Sequence, residues 1–344
     1  MREQFFPLPE YLLPWFYENK RNLPWRESKD AYAVWVSEIM LQQTRVEAAK
    51  EYYIRFLKEL PTVYDLADCD DEKLMKLWEG LGYYSRARNM KKCAKEVVEK
   101  YGGVFPEDKE LLIKLPGIGE YTAGSLSSIA YDEKNPAIDG NVLRVCARVE
   151  GDFTPIDSAV RKKELYGKLQ AVYPEAAGDY TQSLMELGAL VCLPETPRCN
   201  ICPMKGKCVA ERENLQGDLP VMPQKAEKKR VKLAVFLIKT PQGILLKKRP
   251  EKGLLAGMWE FPNTEQEAPM SEDNAVLKGF QGVNFKKCGT HTHIFTHLIW
   301  EMTAYTAEIG DNAGMPPSFT AFPLEKIREE VSLATAFRWC LNLL

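Results

Sequence analysis

Four cysteines, Cys192, Cys199, Cys202 and Cys208, fall within 17 residues in the pattern C-x6-C-x2-C-x5-C. Thiolates that close together suit a soft metal centre, either a tetrahedral zinc or an iron–sulfur cluster. A structural zinc site more often carries two C-x2-C pairs; this loop has one, flanked by Pro194, Pro197 and Pro203. A second group with chemical capacity is Leu115-Pro116-Gly117-Ile118-Gly119, between an apolar helix end and a further helix. Gly117 and Gly119 permit positive φ and close backbone approach, and free N–H groups at the next helix start can hold a phosphate. On residue type alone the same pattern is also an ordinary helix–helix turn. Asp139 follows Gly119 by twenty residues, with Gly140 and Asn141 behind it, which in isolation is the pattern of an N-cap. Glu38 stands in the apolar run Trp35-Val36-Ser37-Glu38-Ile39-Met40-Leu41, where a single Glu usually marks a solvated face.

Those groups need elements to hold them. Amphipathic helical periodicity runs through residues 31–60, 71–78, 85–101, 121–131, 160–173 and 179–191, broken by Pro61, Gly80, Gly102-Gly103, Pro174 and Gly178. No convincing strand falls before about residue 209, so this stretch reads as all-α. Periodicity lapses over 216–229, where Pro and Lys cluster as in a linker. Beyond it, 231–238, the turn Thr240-Pro241-Gln242-Gly243 and 244–246 read as a β-hairpin, 297–309 as a further strand, and 324–344 as helical. The second domain is therefore α+β.

The 344 residues suit two domains rather than one. Hydrophobic residues at 45% and charged residues at 27% exclude a disordered chain. A net charge of −2 neither supports nor excludes a nucleic-acid partner, because phosphate binding follows the local distribution of charge. The cysteine count of nine is odd, which argues against a disulfide framework, and the five outside the loop read as small buried hydrophobes. No apolar run reaches a membrane span and the first residues lack a signal-peptide core, so a cytoplasmic protein is expected.

Together, the LPGIG turn, the Pro-containing stretch after it and Asp139 resemble the helix-hairpin-helix–Gly/Pro–Asp signature of base-excision glycosylases. The cysteine spacing resembles the [4Fe–4S] loop of the endonuclease III and MutY class. Trp35 to Val46 resembles the first-helix motif of MutY, Arg21-Asn22-Leu23-Pro24-Trp25-Arg26 its adenine-pocket segment, and Leu81-Gly82-Tyr83-Tyr84-Ser85-Arg86 its intercalation loop. The resemblance covers essentially the whole chain, which is identified as a member of the MutY family of adenine glycosylases, acting on A opposite 8-oxoguanine. It implies an α-helical N-terminal region over 1–215, with two helical lobes, the hairpin and the iron–sulfur loop at 192–208. A linker at 216–229 and an α+β Nudix-like 8-oxoguanine-recognition domain at 230–344 would follow. It further implies a [4Fe–4S] cluster on Cys192, Cys199, Cys202 and Cys208. The partner would be double-stranded DNA containing A:8-oxoguanine or A:G, bound by a monomer without membrane association in a bacterial cytoplasm.

Residue roles follow from the same resemblance. Glu38 would protonate adenine, most readily at N7, with its pKa raised by burial. Asp139 would stay ionised at its helix N-terminus and stabilise the oxocarbenium-like sugar, electrostatically or through a transient covalent bond. Tyr121 and Asn141 would orient the pair. Tyr121 occupies the place where bifunctional members carry a Lys, and a phenol forms no imine, so monofunctional chemistry is expected. Arg21, Trp25, Arg26, Val46 and Gln182 would line the adenine pocket. Gln43, Thr44, Leu81 and Tyr83 would enter the gap left by the flipped base, and Gly117 and Gly119 would hold a phosphate. Phe295-Thr296-His297 stands where the family reads 8-oxoguanine with Phe-Ser-His; Thr keeps the hydroxyl and adds a methyl.

Gly257-Met258-Trp259-Glu260-Phe261-Pro262 resembles the segment before a Nudix box, but 263–273 lacks the box's carboxylate pattern and Arg328-Glu329-Glu330 is followed by Val-Ser-Leu. Pyrophosphatase chemistry is therefore not expected. A mismatch thymine glycosylase, opposed by the Glu38 segment and the second domain, and an idle iron–sulfur sensor, opposed by the Glu38–Asp139 pair, are the rival readings. Arg86, Arg88, Lys91, Lys92 and Lys95, or Lys228-Lys229-Arg230, are either phosphate contacts or solvated faces.

Overall fold

The computed structural model describes residues 6–223, 227–266, 277–310 and 317–344. Part of the 263–273 stretch that lacks the Nudix carboxylate pattern, residues 267–273, lies outside them, as do 224–226 of the linker stretch and the first five residues. In chain order the helices are α1 (Pro9–Asn19), α2 (Ala31–Leu41), α3 (Val46–Glu59), α4 (Val63–Asp68), α5 (Asp71–Leu77), α6 (Ser85–Tyr101), α7 (Lys109–Leu112), α8 (Glu120–Tyr131), α9 (Gly140–Glu150), α10 (Ala159–Val172), α11 (Ala177–Leu190), α12 (Val209–Glu213) and α13 (Leu324–Glu329). Strands follow residue 228: β1 (Lys229–Thr240), β2 (Gly243–Lys248), β3 (Trp259–Glu260), β4 (Asn263–Gln266), β5 (Lys286–Ile294), β6 (Leu298–Glu308) and β7 (Phe319–Phe322). Among the described residues, the region before β1 contains no strand.

Two compact units result, and they do not follow chain order. One comprises Met1–Asp68 with Asn89–Gln224, the other Cys69–Arg88 with Lys225–Leu344.

In the first unit α11 packs against α1, α8 and α9, and α2 packs on α8. Apolar side chains at helical spacing build the core: Val142, Val145, Cys146 and Val149 from α9 meet Tyr180, Leu184 and Leu187 from α11. Most of the buried residues of α8 are small, Ala123, Gly124, Ser125, Ser127 and Ser128 beside Thr122, Leu126 and Ile129, which lets neighbouring backbone come close. At Gly124 a Cβ would stand 2.4 Å from the Pro136 carbonyl oxygen, so no larger residue fits. Asp30 starts α2 by accepting from the Ala33 amide. The periodicity that reads as one helix over 31–60 is interrupted after Leu41, because Gln43 adopts φ +61° and turns the chain before α3. Neither Gly nor Pro marks that turn. Pro220 follows Leu219, which is buried, and the Gln216 and Leu219 carbonyls accept from Arg148, so the start of the 216–229 stretch is packed onto this unit.

The second unit is built on a seven-stranded sheet in which β3-β2-β1-β6-β5 lie side by side, with β4 also paired to β1 and β7 to β2. β1 and β6 run parallel from Lys229↔Leu298 to Lys239↔Glu308; the other pairs are antiparallel. The expected helix over 324–344 is α13 followed by a separate 3-10 segment, Thr335–Asn342. Between them the backbone pairs with Trp259, whose N–H donates to the Ser332 carbonyl at 3.1 Å and whose carbonyl accepts from Ala334 at 2.9 Å. A helix cannot continue through that ladder. Residues 69–88 are fastened here by Lys76 Nζ donating to the Arg328 carbonyl at 3.0 Å and by the Tyr84 and Thr335 hydroxyls at 3.0 Å. Arg88 Nη1 donates to the Ala256 carbonyl at 2.6 Å, and Arg86 is buried, donating to the Leu81 and Gly82 carbonyls. These two arginines are internal ties rather than solvated charges.

Candidate active site

A cleft of about 620 Å³ opens in the first unit. Glu38, Tyr121, Asp139 and Asn141 line it together with Arg21, Trp25, Arg26, Val46 and Gln182, and Gln43 and Thr44 stand on the same wall. Residues from five separate stretches of chain thus converge on one space.

Glu38 is carried by α2 with only 6% of its surface exposed. The Tyr121 hydroxyl, from the first turn of α8, donates to Glu38 Oε2 at 2.7 Å. Burial pushes the Glu38 carboxyl above the ordinary carboxylate range, and the nearby Asp139 charge pushes it the same way, against Tyr121, Ser125 and Arg26. Burial and the Glu38 charge hold the Tyr121 phenol well above its usual range, so it stays a donor.

Asp139 is the N-cap of α9, accepting from the Val142 amide at 2.8 Å and from the Asn141 side-chain amide at 2.7 Å. The N-cap role and a place in the cleft therefore coincide. Burial raises its proton affinity, while the two amide donors and Arg144 oppose the rise. Arg144 in turn donates to Asn141 Oδ1 at 2.8 Å and to the Cys192 carbonyl at 2.9 Å. The amides at the helix terminus favour the charge on Asp139 but do not offset burial, so the net shift is toward the protonated form.

The far wall is organised by Glu186, which sequence reasoning missed. Its carboxylate takes Arg21 Nη2 at 2.8 Å, Arg21 Nε at 2.9 Å and Arg26 Nη2 at 2.9 Å, and Arg26 Nε reaches Gln182 Oε1 at 2.9 Å. Although burial alone would raise it, the bonds from Arg21 and Arg26 hold Glu186 down at about 2. The available signal was a Glu in the apolar second half of α11, among Leu184, Met185, Leu187 and Leu190, four residues after Gln182. Trp25 packs edge-on against Tyr53 at 5.5 Å, which fixes one side of the opening.

Gly117, at φ +79°, sits against Asn89, where a Cβ would meet the Asn89 Cβ at 2.7 Å. Gly119 is the N-cap of α8, so the glycine turn presents the start of that helix.

Leu81, Tyr83 and Phe295-Thr296-His297 belong to the second unit. Leu81 is buried, whereas Tyr83 is 46% exposed with φ +48°. Phe295, Thr296 and His297 form the loop between β5 and β6, closed by the Phe295 amide on the Leu298 carbonyl at 2.9 Å. The Phe295 ring is pinned against Trp300 at 4.8 Å, and the hydroxyls of Thr296 and Tyr83 lie 2.5 Å apart. His291 stacks on Trp339 and His293 meets Phe295 edge-on, so both serve as packing rings.

Cys192, Cys199, Cys202 and Cys208 all line a single pocket at the end of α11, with Arg148 beside them. Arg148 Nη1 points at Cys192 Sγ at 3.5 Å, and its remaining donors tie the Leu193, Pro194, Gln216 and Leu219 carbonyls around the loop. Among the described residues, no three His, Cys, Asp or Glu side chains are grouped closely enough for one metal ion. A four-iron cluster takes four thiolate ligands, and the four cysteines that line this one pocket fit that donor set. If these cysteines hold such a cluster, Cys199→Ser is expected to lower iron and acid-labile sulfide in the purified protein toward zero, with a lower melting temperature. Iron analysis and thermal melting check both; full iron content in that variant would exclude Cys199 as a ligand.

Residues 36–166 match the family described as HhH-GPD superfamily base excision DNA repair protein, and 234–343 match the NUDIX domain. The adenine DNA glycosylase of Rattus norvegicus is 34% identical, over 91% of this chain and 72% of its own length. That of Buchnera aphidicola from Acyrthosiphon pisum is 32% identical, over 84% of this chain and 83% of its own. Among solved structures, a thermostable thymine-DNA glycosylase aligns at TM-score 0.54 and 25% identity, covering 59% of this chain and 94% of that one. An endonuclease III–DNA complex aligns at TM-score 0.52 and 23% identity, over 60% and 94%, which shows a shared fold. The helical region with its glycine hairpin, the Nudix-type sheet and the relatives matched across both place this chain in the adenine DNA glycosylase family.

Proposed function

We propose that the chain hydrolyses the N-glycosidic bond of adenine opposite 8-oxoguanine or guanine in duplex DNA, as a monofunctional glycosylase that leaves an abasic site. The observation that carries this is Glu38, buried, hydrogen-bonded by Tyr121 and facing Asp139 in one cleft. Two carboxyl groups in unlike surroundings are what an oxocarbenium-forming hydrolysis requires.

Adenine leaves the stack and enters the cleft between the arginine-bearing wall and Glu38. Glu38 gives its proton to a ring nitrogen as the C1′–N9 bond breaks, so adenine departs neutral. Asp139 balances the positive sugar. Water then adds to C1′ and returns a proton to the Glu38 carboxylate. Tyr121 and Asn141 hold the two acids in place, and with Tyr121 where an amine would be needed no Schiff base forms. Gln43, Thr44, Leu81 and Tyr83 occupy the gap left by the base, Gly117 and Gly119 hold a strand phosphate, and Phe295-Thr296-His297 reads the opposing 8-oxoguanine. Cys192, Cys199, Cys202 and Cys208 hold a [4Fe–4S] cluster, which when bound clips the loop after α11. The protein acts as a monomer on DNA in the cytoplasm. No helix among the described residues is long and apolar enough to cross a membrane.

Single-turnover base release from A:8-oxoguanine, A:G, A:T and T:G duplexes tests the reading. Adenine release from the first two, with strand scission only after alkali, is the expected result. Activity confined to T:G would transfer the assignment to thymine excision, and tight binding without release from any duplex would favour a sensor.

A further inference from the structure

Ser125 is completely buried, and its Oγ has no hydrogen-bond partner. Buried hydroxyls without partners are costly and uncommon, so each one asks for a use. Ser125 lies one turn beyond Tyr121 on α8, which puts the two hydroxyls on the same face of the helix. That face meets α2, where Tyr121 already bonds Glu38 Oε2 at 2.7 Å. A hydrogen bond from Ser125 favours the ionised form of Glu38 and of Tyr121. Of the other charged groups that face Glu38, Asp139 at the start of α9 favours its protonated form and Arg26, from the turn before α2, its ionised form.

We propose that Ser125 is a positioning residue for Glu38: a hydroxyl left unpaired while the acid carries its proton, which donates to the carboxylate once that proton has passed to the base. A bond made only as charge develops lowers the barrier, whereas one already made in the resting state would not. The inference rests on Glu38 being the acid and adds a second donor from α8 to the one Tyr121 supplies.

Single-turnover release from A:8-oxoguanine is measured across pH for the wild type, Ser125→Ala, Ser125→Cys and Glu38→Gln, with duplex affinity and melting temperature for each. Ser125→Ala removes a group that favours ionised Glu38, so Glu38 keeps its proton to higher pH and the alkaline limb moves up. The plateau rate is expected to fall about three- to tenfold, the worth of one net hydrogen bond. Affinity is expected to be unchanged and melting temperature no lower, since an unpaired buried hydroxyl is lost. Ser125→Cys keeps the size with a weaker donor and falls between the two. A Ser125→Ala enzyme whose alkaline limb does not move overturns the proposal, whether or not its plateau falls. If Glu38→Gln itself retains the wild-type rate, the acid assignment fails; if it is inactive while Ser125→Ala behaves as wild type, only the role of Ser125 fails.

Discussion

Glu38→Gln is expected to lower single-turnover base release by about 10²- to 10⁴-fold while duplex binding persists, the range associated with loss of a general acid. The amide is nearly the shape of the acid and can still accept from the Tyr121 hydroxyl, which bonds Oε2 at 2.7 Å. What it cannot do is give a proton to a departing base. The same structure sets the pH dependence. Burial raises the Glu38 pKa above its ordinary value, so the acid form persists to higher pH than a solvated Glu would allow. Activity should fall as pH rises through that raised pKa, and no such limb should remain in Glu38→Gln. Asp139→Asn is the companion test. Asparagine still accepts from the Val142 amide, so the cap of α9 survives while the charge is lost. Full activity in either variant would sink the paired-carboxylate assignment.

Glu186→Ala is expected to destabilise the first unit by about 3 kcal/mol, toward the low end for a broken buried pair because Arg21 keeps some contact with water. The Glu186 side chain is 1% exposed, against 29% for Arg21 and 14% for Arg26. Its removal leaves two guanidinium groups facing each other across the wall of the cleft. A pH dependence accompanies this. The folded pKa, about 2, lies below the ordinary 4.5, so the stabilisation is fully present above the unfolded value and is lost as pH falls toward 2. Denaturant unfolding at neutral and at acidic pH therefore separates wild type from Glu186→Ala widely in the first case and little in the second. Equal stabilities at neutral pH would mean that the triad is ornamental to the fold. Loss of adenine release at temperatures where Glu186→Ala remains folded would show that Arg21 and Arg26 also need it for their position in the cleft.

Much of the helical scaffold can be read from residue pattern because helix formation is local. The stretch 85–101 coincides with α6, and 121–131 differs from α8 by a single residue at its start. The glycine hairpin, the cap at Asp139 and the β1–β2 hairpin are likewise short-range features, set by φ preferences and by alternation over a few residues. Helix endings are not legible in the local pattern where the interruption has a distant cause. Gln43 takes a left-handed conformation that its residue type does not demand, and the 324–344 stretch breaks because Trp259, far earlier in the chain, claims its backbone.

The composition of the cleft divides in the same way. Glu38, Tyr121 and Asp139 are identifiable from motifs, since each sits in a short run whose residue types constrain one another. Glu186 is different: its partners Arg21 and Arg26 lie 165 and 160 residues away, and no local pattern tells an ion-paired Glu on α11 from a solvated one. Ser125 looks like one more small residue on a packed helix until α2 is laid against it. Residues 69–88 read as part of a continuous helical region, yet they pack with the strand-bearing unit, through bonds from Lys76 to the Arg328 carbonyl and from Arg88 to the Ala256 carbonyl. Periodicity and capping report the energetics of a few neighbouring residues. Burial, ion pairing and proton affinity depend on which distant surfaces meet, and those appear only when the chain has closed on itself.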